Sequence, residues 1–225
     1  MKKLHWLFLL VTFSLPLTGQ RNSDFGIFAG VSSYIGDINP DRLMYSPLPA
    51  GGFFYRYNLH PRQSIRTNIF LGGLRANDLD FRNAFQQTRA ANFSGVVGEL
   101  TAQFEFNFLP YSTQEKKLNY TPYFAAGAGI VFINTIVFTY QPVIPFSLGF
   151  KINFYKYLGL EAEYGFRKTF YDNFDGLKDL ISSSDYSWLH NNDWYSFAGI
   201  AFTWKLFNRF AGCPAYIDVN AKRKR

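Results

Sequence analysis

From Asp24 onward the chain alternates with period two: Phe25, Ile27, Ala29 and Val31 fall on one side, and Gly26, Phe28, Gly30 and Ser32 on the other. Successive side chains of an extended strand point to opposite faces, so this alternation predicts a first strand. The same test predicts strands over Ala50 to Tyr57 and, past Asn58-Leu59-His60-Pro61, over Ser64 to Leu71, where Ile65, Thr67, Ile69 and Leu71 alternate with Ser64, Arg66 and Asn68. The clearest instance is Val96 to Phe108. There Val96, Gly98, Leu100, Ala102, Phe104, Phe106 and Phe108 face one way, and Val97, Glu99, Thr101, Gln103, Glu105 and Asn107 the other. Pro122 to Ile133, Ile144 to Phe154, Leu158 to Arg167 and Asp193 to Phe207 follow the same rule, which brings the expected strands to eight.

The connections near Asn58 to Arg62, Leu109 to Thr121 and Tyr155 to Tyr157 are shorter than those near Ile35 to Leu48, Gly73 to Asn92, Asn134 to Val143 and Lys168 to Asn192. Short turns at one end and long loops at the other are the organisation of transmembrane barrels, in which apolar side chains face lipid and polar ones face the lumen. The pattern therefore predicts an all-β, eight-stranded antiparallel transmembrane β-barrel. On this reading Arg56, Arg66, Glu99, Glu105, Lys151, Glu161, Glu163 and Arg167 all point inward. Buried charges persist only when paired, so a salt-bridged plug is expected, with Lys151 and Arg167 available to Glu161 and Glu163. Eight strands enclose little more than their own side chains, which disfavours a wide porin. Tyr34, Tyr57, Tyr111, Tyr123, Tyr155, Tyr157, Trp194 and Trp204 stand near strand ends and are expected to form interfacial girdles. A soluble barrel with its faces inverted is the competing architecture. It would leave the charged set in water with no need of partners.

The start of the chain sharpens the membrane reading. Met1-Lys2-Lys3, an apolar run from Leu4 to Leu17 and then Thr18-Gly19-Gln20 read as a signal peptide over 1–19, because the run is short for a retained spanning helix. The barrel then occupies 20–207 and a tail 208–225. With an even number of strands both ends lie on the side of the short turns, which places the tail in the periplasm of an outer-membrane protein. An aromatic share of 20%, with 26 Phe and 15 Tyr, needs an extensive apolar setting, and outer-membrane lipid supplies it. The formal charge of +7 falls to +5 once Lys2 and Lys3 leave with the signal peptide. What remains is spread along the chain except for Lys222-Arg223-Lys224-Arg225, so no nucleic-acid partner is implied. Cys213 is the single cysteine, which excludes an internal disulfide but permits one with another chain.

Sites for chemistry are scarce. Phosphate-binding glycine loops, paired cysteine motifs and zinc-binding helix motifs do not occur, so no cofactor, metal or catalytic residue is assigned. His5 falls in the signal peptide and His60 in a turn, leaving His190, near Ser182, Ser183, Ser184 and Ser187, as the one candidate base for a lipid-modifying hydrolase. A serine-rich loop is more simply a solvated loop. Glu161 and Glu163 share a strand face and could hold a cation or serve as two catalytic carboxylates, though basic neighbours are the plainer partners. Ala125-Ala126-Gly127-Ala128-Gly129 lies within a strand, where small inward residues make room for large neighbours.

Seven segments follow in order along the chain: Tyr34 to Pro40 (YIGDINP), Gly51 to Tyr57 (GGFFYRY), Phe104 to Pro110 (FEFNFLP), Thr121 to Tyr123 (TPY), Glu163 to Phe170 (EYGFRKTF), Asn192 to Phe197 (NDWYSF) and Cys213 to Tyr216 (CPAY). As an ordered set they resemble the PorG family of the Bacteroidetes type IX secretion system. The resemblance implies a non-enzymatic outer-membrane component that contacts the machine's periplasmic ring, a lipoprotein subunit among its parts. The expected contact residues are Cys213, Pro214, Tyr216, Lys222, Arg223, Lys224 and Arg225, with Cys213 buried in the contact or disulfide-linked to the partner. A stand-alone structural barrel or adhesin, and a lipid-modifying enzyme using His190, are the alternatives.

Overall fold

The computed structural model describes residues 21–39, 42–112, 118–134, 138–170 and 193–209. Eight antiparallel strands run in chain order: β1 (Arg21–Ile35), β2 (Leu48–His60), β3 (Gln63–Asn77), β4 (Asn92–Asn107), β5 (Asn119–Asn134), β6 (Phe138–Tyr155), β7 (Leu158–Thr169) and β8 (Trp194–Arg209). Each pairs with its neighbour in sequence, and β1 closes on β8 from Arg21 opposite Arg209 to Ile35 opposite Trp194. A closed sheet has no free edge, so every strand meets a partner on both sides. The last strand continues two residues beyond the expected end of the barrel at Phe207.

The alternation of the sequence becomes the two surfaces of this wall. Outward-pointing Leu71 and Leu148 are 60% and 62% exposed, and Ile69, Leu100, Ile130, Phe150, Ile200 and Phe202 stand out beside them. The inward positions between them are buried. Phe25, Phe53 and Trp204 stack along one stretch of the outside, as do Tyr120 and Phe150 along another. Tyr34, Tyr111 and Tyr123 depart from the expected girdle. All three are buried inside the barrel or its end, with the Tyr34 hydroxyl donating to Asp193 at 2.5 Å and that of Tyr123 to Glu163 at 2.7 Å. Nearness to a strand end does not decide the face a side chain takes; its parity along the strand does.

Loop lengths also differ from expectation at one place. The stretch Asn134 to Val143 is not a long loop, because β6 begins at Phe138 and only 135–137 separate it from β5. Phe138, Tyr140 and Pro142 point outward there while Gln141 and Val143 are buried, the ordinary period of two. Pro142 and Pro145 disguise it. Pro145 has no amide hydrogen to give, and the β5–β6 ladder is interrupted at Gly127 and Ala128, just where the register would place it. At the same end, 36–47, 78–91 and 170–193 are long, whereas the opposite end has Pro61-Arg62, Lys156-Tyr157 and 108–118. The segment after β3 carries a 3-10 turn (Asp78–Asp80) and a short helix α1 (Ala84–Arg89). Asn83 caps α1 by accepting from the Phe85 amide, and Ala90, in the left-handed region at φ 49°, ends it.

Candidate functional site

Two places concentrate polar side chains: the lumen and the end that carries the long loops. In the lumen the strands bring Arg56, Arg66, Glu99, Glu105, Lys151, Glu161, Glu163 and Arg167 together, each buried. Toward the short-turn end, Arg56 of β2 donates to both oxygens of Glu161 at 2.6 and 2.7 Å and to Glu105 at 3.2 Å. Glu105 also accepts from Ser64 at 2.7 Å and from Lys151, which in turn donates to Asn107 at 3.1 Å. Asp24 and Lys205, absent from the expected set, extend this layer with a 3.1 Å ion pair. Above it Arg66 grips Glu163 through two bonds of 2.6 and 2.9 Å and reaches Gln103 at 2.9 Å. Higher still, Arg167 meets Glu99 at 3.2 Å, and the Tyr195 hydroxyl donates to the same carboxylate at 2.8 Å.

The pairing is not the one expected from neighbouring strands. Lys151 lies directly opposite Glu161 in the β6–β7 ladder, yet its ammonium goes to Glu105 while Glu161 takes Arg56 from across the lumen. Likewise Glu163 belongs to Arg66 and Arg167 to Glu99. A guanidinium fork matches a carboxylate through two parallel bonds, so long side chains reach across the barrel for that geometry in preference to the nearest charge.

Aromatic rings fill the space that charges do not, so the salt-bridged interior is layered with rings. Phe54 lies between Arg56 and Arg66, each guanidinium 5.0 Å from its ring centre. Phe28, Phe70 and Phe197 cluster above, with ring centres 4.8 and 5.6 Å apart along the chain of contacts, and Arg167 caps Phe197 at 5.1 Å. Gly165 makes room for this arrangement, since a Cβ there would lie 2.0 Å from Nη1 of Arg167. At Gly127 the reason for smallness is not a large neighbour. A Cβ would meet the Ala102 backbone carbonyl at 1.9 Å, so β4 and β5 could not approach.

At the long-loop end, two segments are clamped to each other. Buried Asp78 receives two bonds from Arg89 at 2.6 and 2.8 Å and one from the Ala91 amide at 3.0 Å. Burial opposes ionisation of Asp78, but these donors outweigh it and hold its carboxyl below the usual range. The buried Gln86 side chain donates to the Ile38 carbonyl at 2.9 Å, tying α1 to the β1–β2 loop. Tyr45 donates to Asp80 at 2.5 Å; burial and that carboxylate push its phenol up to about 12. Between the two segments lies a cavity of about 320 Å³ lined by Arg42, Arg82, Arg89, Phe81, Phe85, Gln86, Asn83 and Asp37. No sequence motif marked it.

Among the described residues no group of three or more His, Cys, Asp or Glu is placed to hold a metal ion. His190, with Ser182, Ser183, Ser184 and Ser187, falls outside the described residues, as do the signal peptide 1–19 and the contact residues Cys213, Pro214, Tyr216, Lys222, Arg223, Lys224 and Arg225.

Neisserial surface protein A is similar over 81% of this chain and 96% of its own, at 9% identity and a TM-score of 0.51, a likeness of fold. Ail of Yersinia pestis (12% identity, 83% of this chain and 99% of that one, TM-score 0.44) and the N-terminal β-barrel domain of Pseudomonas aeruginosa OprF (12%, 83% and 100%, 0.44) are also similar. None of the curated proteins matches the sequence. The fold is thus an outer-membrane-type eight-stranded barrel, and with residues 1–216 matched by the family described as "Domain of unknown function (DUF6089)", the chain belongs to that family.

Proposed function

We propose that this chain is a non-enzymatic outer-membrane barrel of the type IX protein secretion machinery, held in lipid by its outward belt of apolar side chains and contacting the machine's periplasmic ring, including a lipoprotein subunit, through its short-turn end and C-terminal tail. One observation carries the reading: among the described residues the lumen is filled by ion pairs and rings, which leaves the barrel's ends to carry its role. The ordered resemblance to the PorG family, from Tyr34 to Tyr216, names the machine. Cys213-Pro214-Ala215-Tyr216 and the basic run Lys222 to Arg225 supply the contact in this reading, with Cys213 packed in it or disulfide-linked to the partner.

Deleting 213–225 tests this reading in cells. Secretion of type IX cargo is expected to fall while the barrel keeps its heat-modifiable mobility. Undiminished secretion, or loss with His190→Ala and not with the deletion, would overturn it. Non-reducing electrophoresis of wild type and Cys213→Ser separates covalent from non-covalent docking.

A further inference from the structure

The end of the barrel away from the tail holds the one other built arrangement of charge among the described residues, and it concerns a different face from the docking reading above. The cavity between the β1–β2 loop and α1 is pinned from two sides, by Gln86 on the Ile38 carbonyl and by Arg89 and Ala91 on Asp78. Arg89 also donates to the Asp37 carbonyl at 3.3 Å, so the walls are fixed to each other before anything binds. Asn39 holds the backbone at Arg42 through bonds of 2.7 Å to its carbonyl and 3.1 Å from its amide.

The lining is basic and aromatic. Arg89 is neutralised by Asp78, whereas among the described residues neither Arg42 nor Arg82 forms an ion pair. The acid in the lining is Asp37, so Arg42 and Arg82 leave a positive surplus. Arg42 lies 4.6 Å over the Phe81 ring. A stacked guanidinium keeps its in-plane donors free, the geometry that binds phosphate oxygens in pairs. Beside it Phe85, with the Arg89 guanidinium 5.5 Å from its ring centre, is still 68% exposed at the mouth of a basic cavity. An apolar ring next to unpaired guanidinium groups suits a ligand with an apolar C–H face and a phosphate close together.

We infer that this cavity is a binding site for a phosphorylated saccharide, with Arg42 and Arg82 on the phosphate and Phe85 against the sugar ring. The same chemistry occurs on soluble glycans and on the saccharide headgroups of outer-leaflet lipids. The site therefore serves either to bind such a glycan or to fix the loops against the membrane surface.

The test uses the full mature chain in phosphatidylcholine nanodiscs and titrates it calorimetrically with a bisphosphorylated glucosamine disaccharide. Its dephosphorylated form is the control. Binding that weakens about tenfold or more in Arg42→Gln/Arg82→Gln, and that the dephosphorylated sugar lacks, supports the site. A second arm places the same headgroup on a lipid in the nanodisc and follows protection of Arg42 and Arg82 from phenylglyoxal. Protection there without binding of the free disaccharide assigns the site to the membrane-borne ligand and also supports it. No binding and no protection, equal binding by the double variant, or equal binding of the dephosphorylated sugar would overturn it. Both arginines are exposed, and heat-modifiable mobility checks that the variants still fold.

Discussion

Removing the charge of Glu163 while keeping its shape isolates what the lumen network contributes. Arg66 is fully buried and gives two bonds, of 2.6 and 2.9 Å, to that carboxylate. In Glu163→Gln its guanidinium would keep Gln103 at 2.9 Å and a more distant acid, Glu105, at 3.8 Å. Breaking a buried pair costs about 3–5 kcal/mol, because the surviving charge stays out of water without a partner. Glu105 offsets part of this, so the expected loss is about 3 kcal/mol, at the low end of that range. Adding Arg66→Met removes the stranded charge, and the amide that replaces the carboxylate still accepts from the Tyr123 hydroxyl. The double variant should therefore recover to within about 1 kcal/mol of wild type.

The assay is urea unfolding from lipid vesicles, followed by tryptophan fluorescence and by heat-modifiable mobility. At a slope of about 1–3 kcal/mol per molar urea, the single variant should unfold about 1 M or more below wild type. If it unfolds at the wild-type concentration, or if the double variant is worse than the single, pairing is not what makes these buried charges tolerable.

Other perturbations probe the wall, the belt and the loop clamp. Gly127→Ala puts a Cβ against the Ala102 carbonyl and should block formation of the heat-modifiable barrel, whereas Gly51→Ala, whose nearest atom is the Phe28 carbonyl oxygen at 3.5 Å, should fold normally; equal folding of the two would refute the close-approach argument. Leu100→Arg, midway along the outward face of β4 between Ile69 and Ile130, should destabilise folding into vesicles by about 2–4 kcal/mol, and an unaffected variant would mean that this face does not meet lipid. The carboxyl of Asp78 is depressed in the folded state, so its clamp is fully present above the unfolded value of about 3.9 and is lost as pH falls through the lower folded value. Amide exchange at Asp78 and Ala91, corrected for the intrinsic rate, should therefore speed up between about pH 6 and about pH 2; unchanged or greater protection would refute the clamp.

The two faces of the wall were legible because a period of two survives in any strand that is greasy on one side. Val96 to Phe108 shows it without ambiguity. Legibility failed where a second rule masked the period. Phe138 to Val143 carries the same alternation, but Pro142 and Pro145 read as loop signals, and only the interrupted ladder to β5 shows how the sheet absorbs the second of them. Tyr123 has the parity of Ala125 and Val131, so its inward direction was readable, and its place near a strand end was the weaker clue. That the acids and bases turn inward could be read. Which acid meets which base could not, because side chains reaching across the lumen choose among partners from every strand. The cavity between Arg42 and Arg82 depends on the Asp78–Arg89 and Gln86–Ile38 contacts, tertiary events with no local pattern.

Among the described residues, Asp24, Glu99, Glu105, Glu161 and Glu163 face Arg56, Arg66, Lys151, Arg167 and Lys205 in the lumen, five acids against five bases, with Asp193, held by the Tyr34 hydroxyl, buried at the long-loop end. A lumen built to pass or concentrate ions carries a surplus of one sign, since that surplus is what attracts the counter-ion. Here the paired layers match acid to base and the guanidinium groups of Arg56 and Arg66 are committed to bidentate bonds, so these charges hold the wall together. The chain's positive excess includes the run Lys222 to Arg225, outside the described residues, and exposed residues such as Arg42 and Arg82. The proposed orientation assigns those groups to opposite ends of the barrel. Loss of secretion on deleting the tail and loss of saccharide binding in Arg42→Gln/Arg82→Gln should therefore be separable, each leaving the other intact; a variant at one end that abolished both would mean that the barrel transmits between its faces.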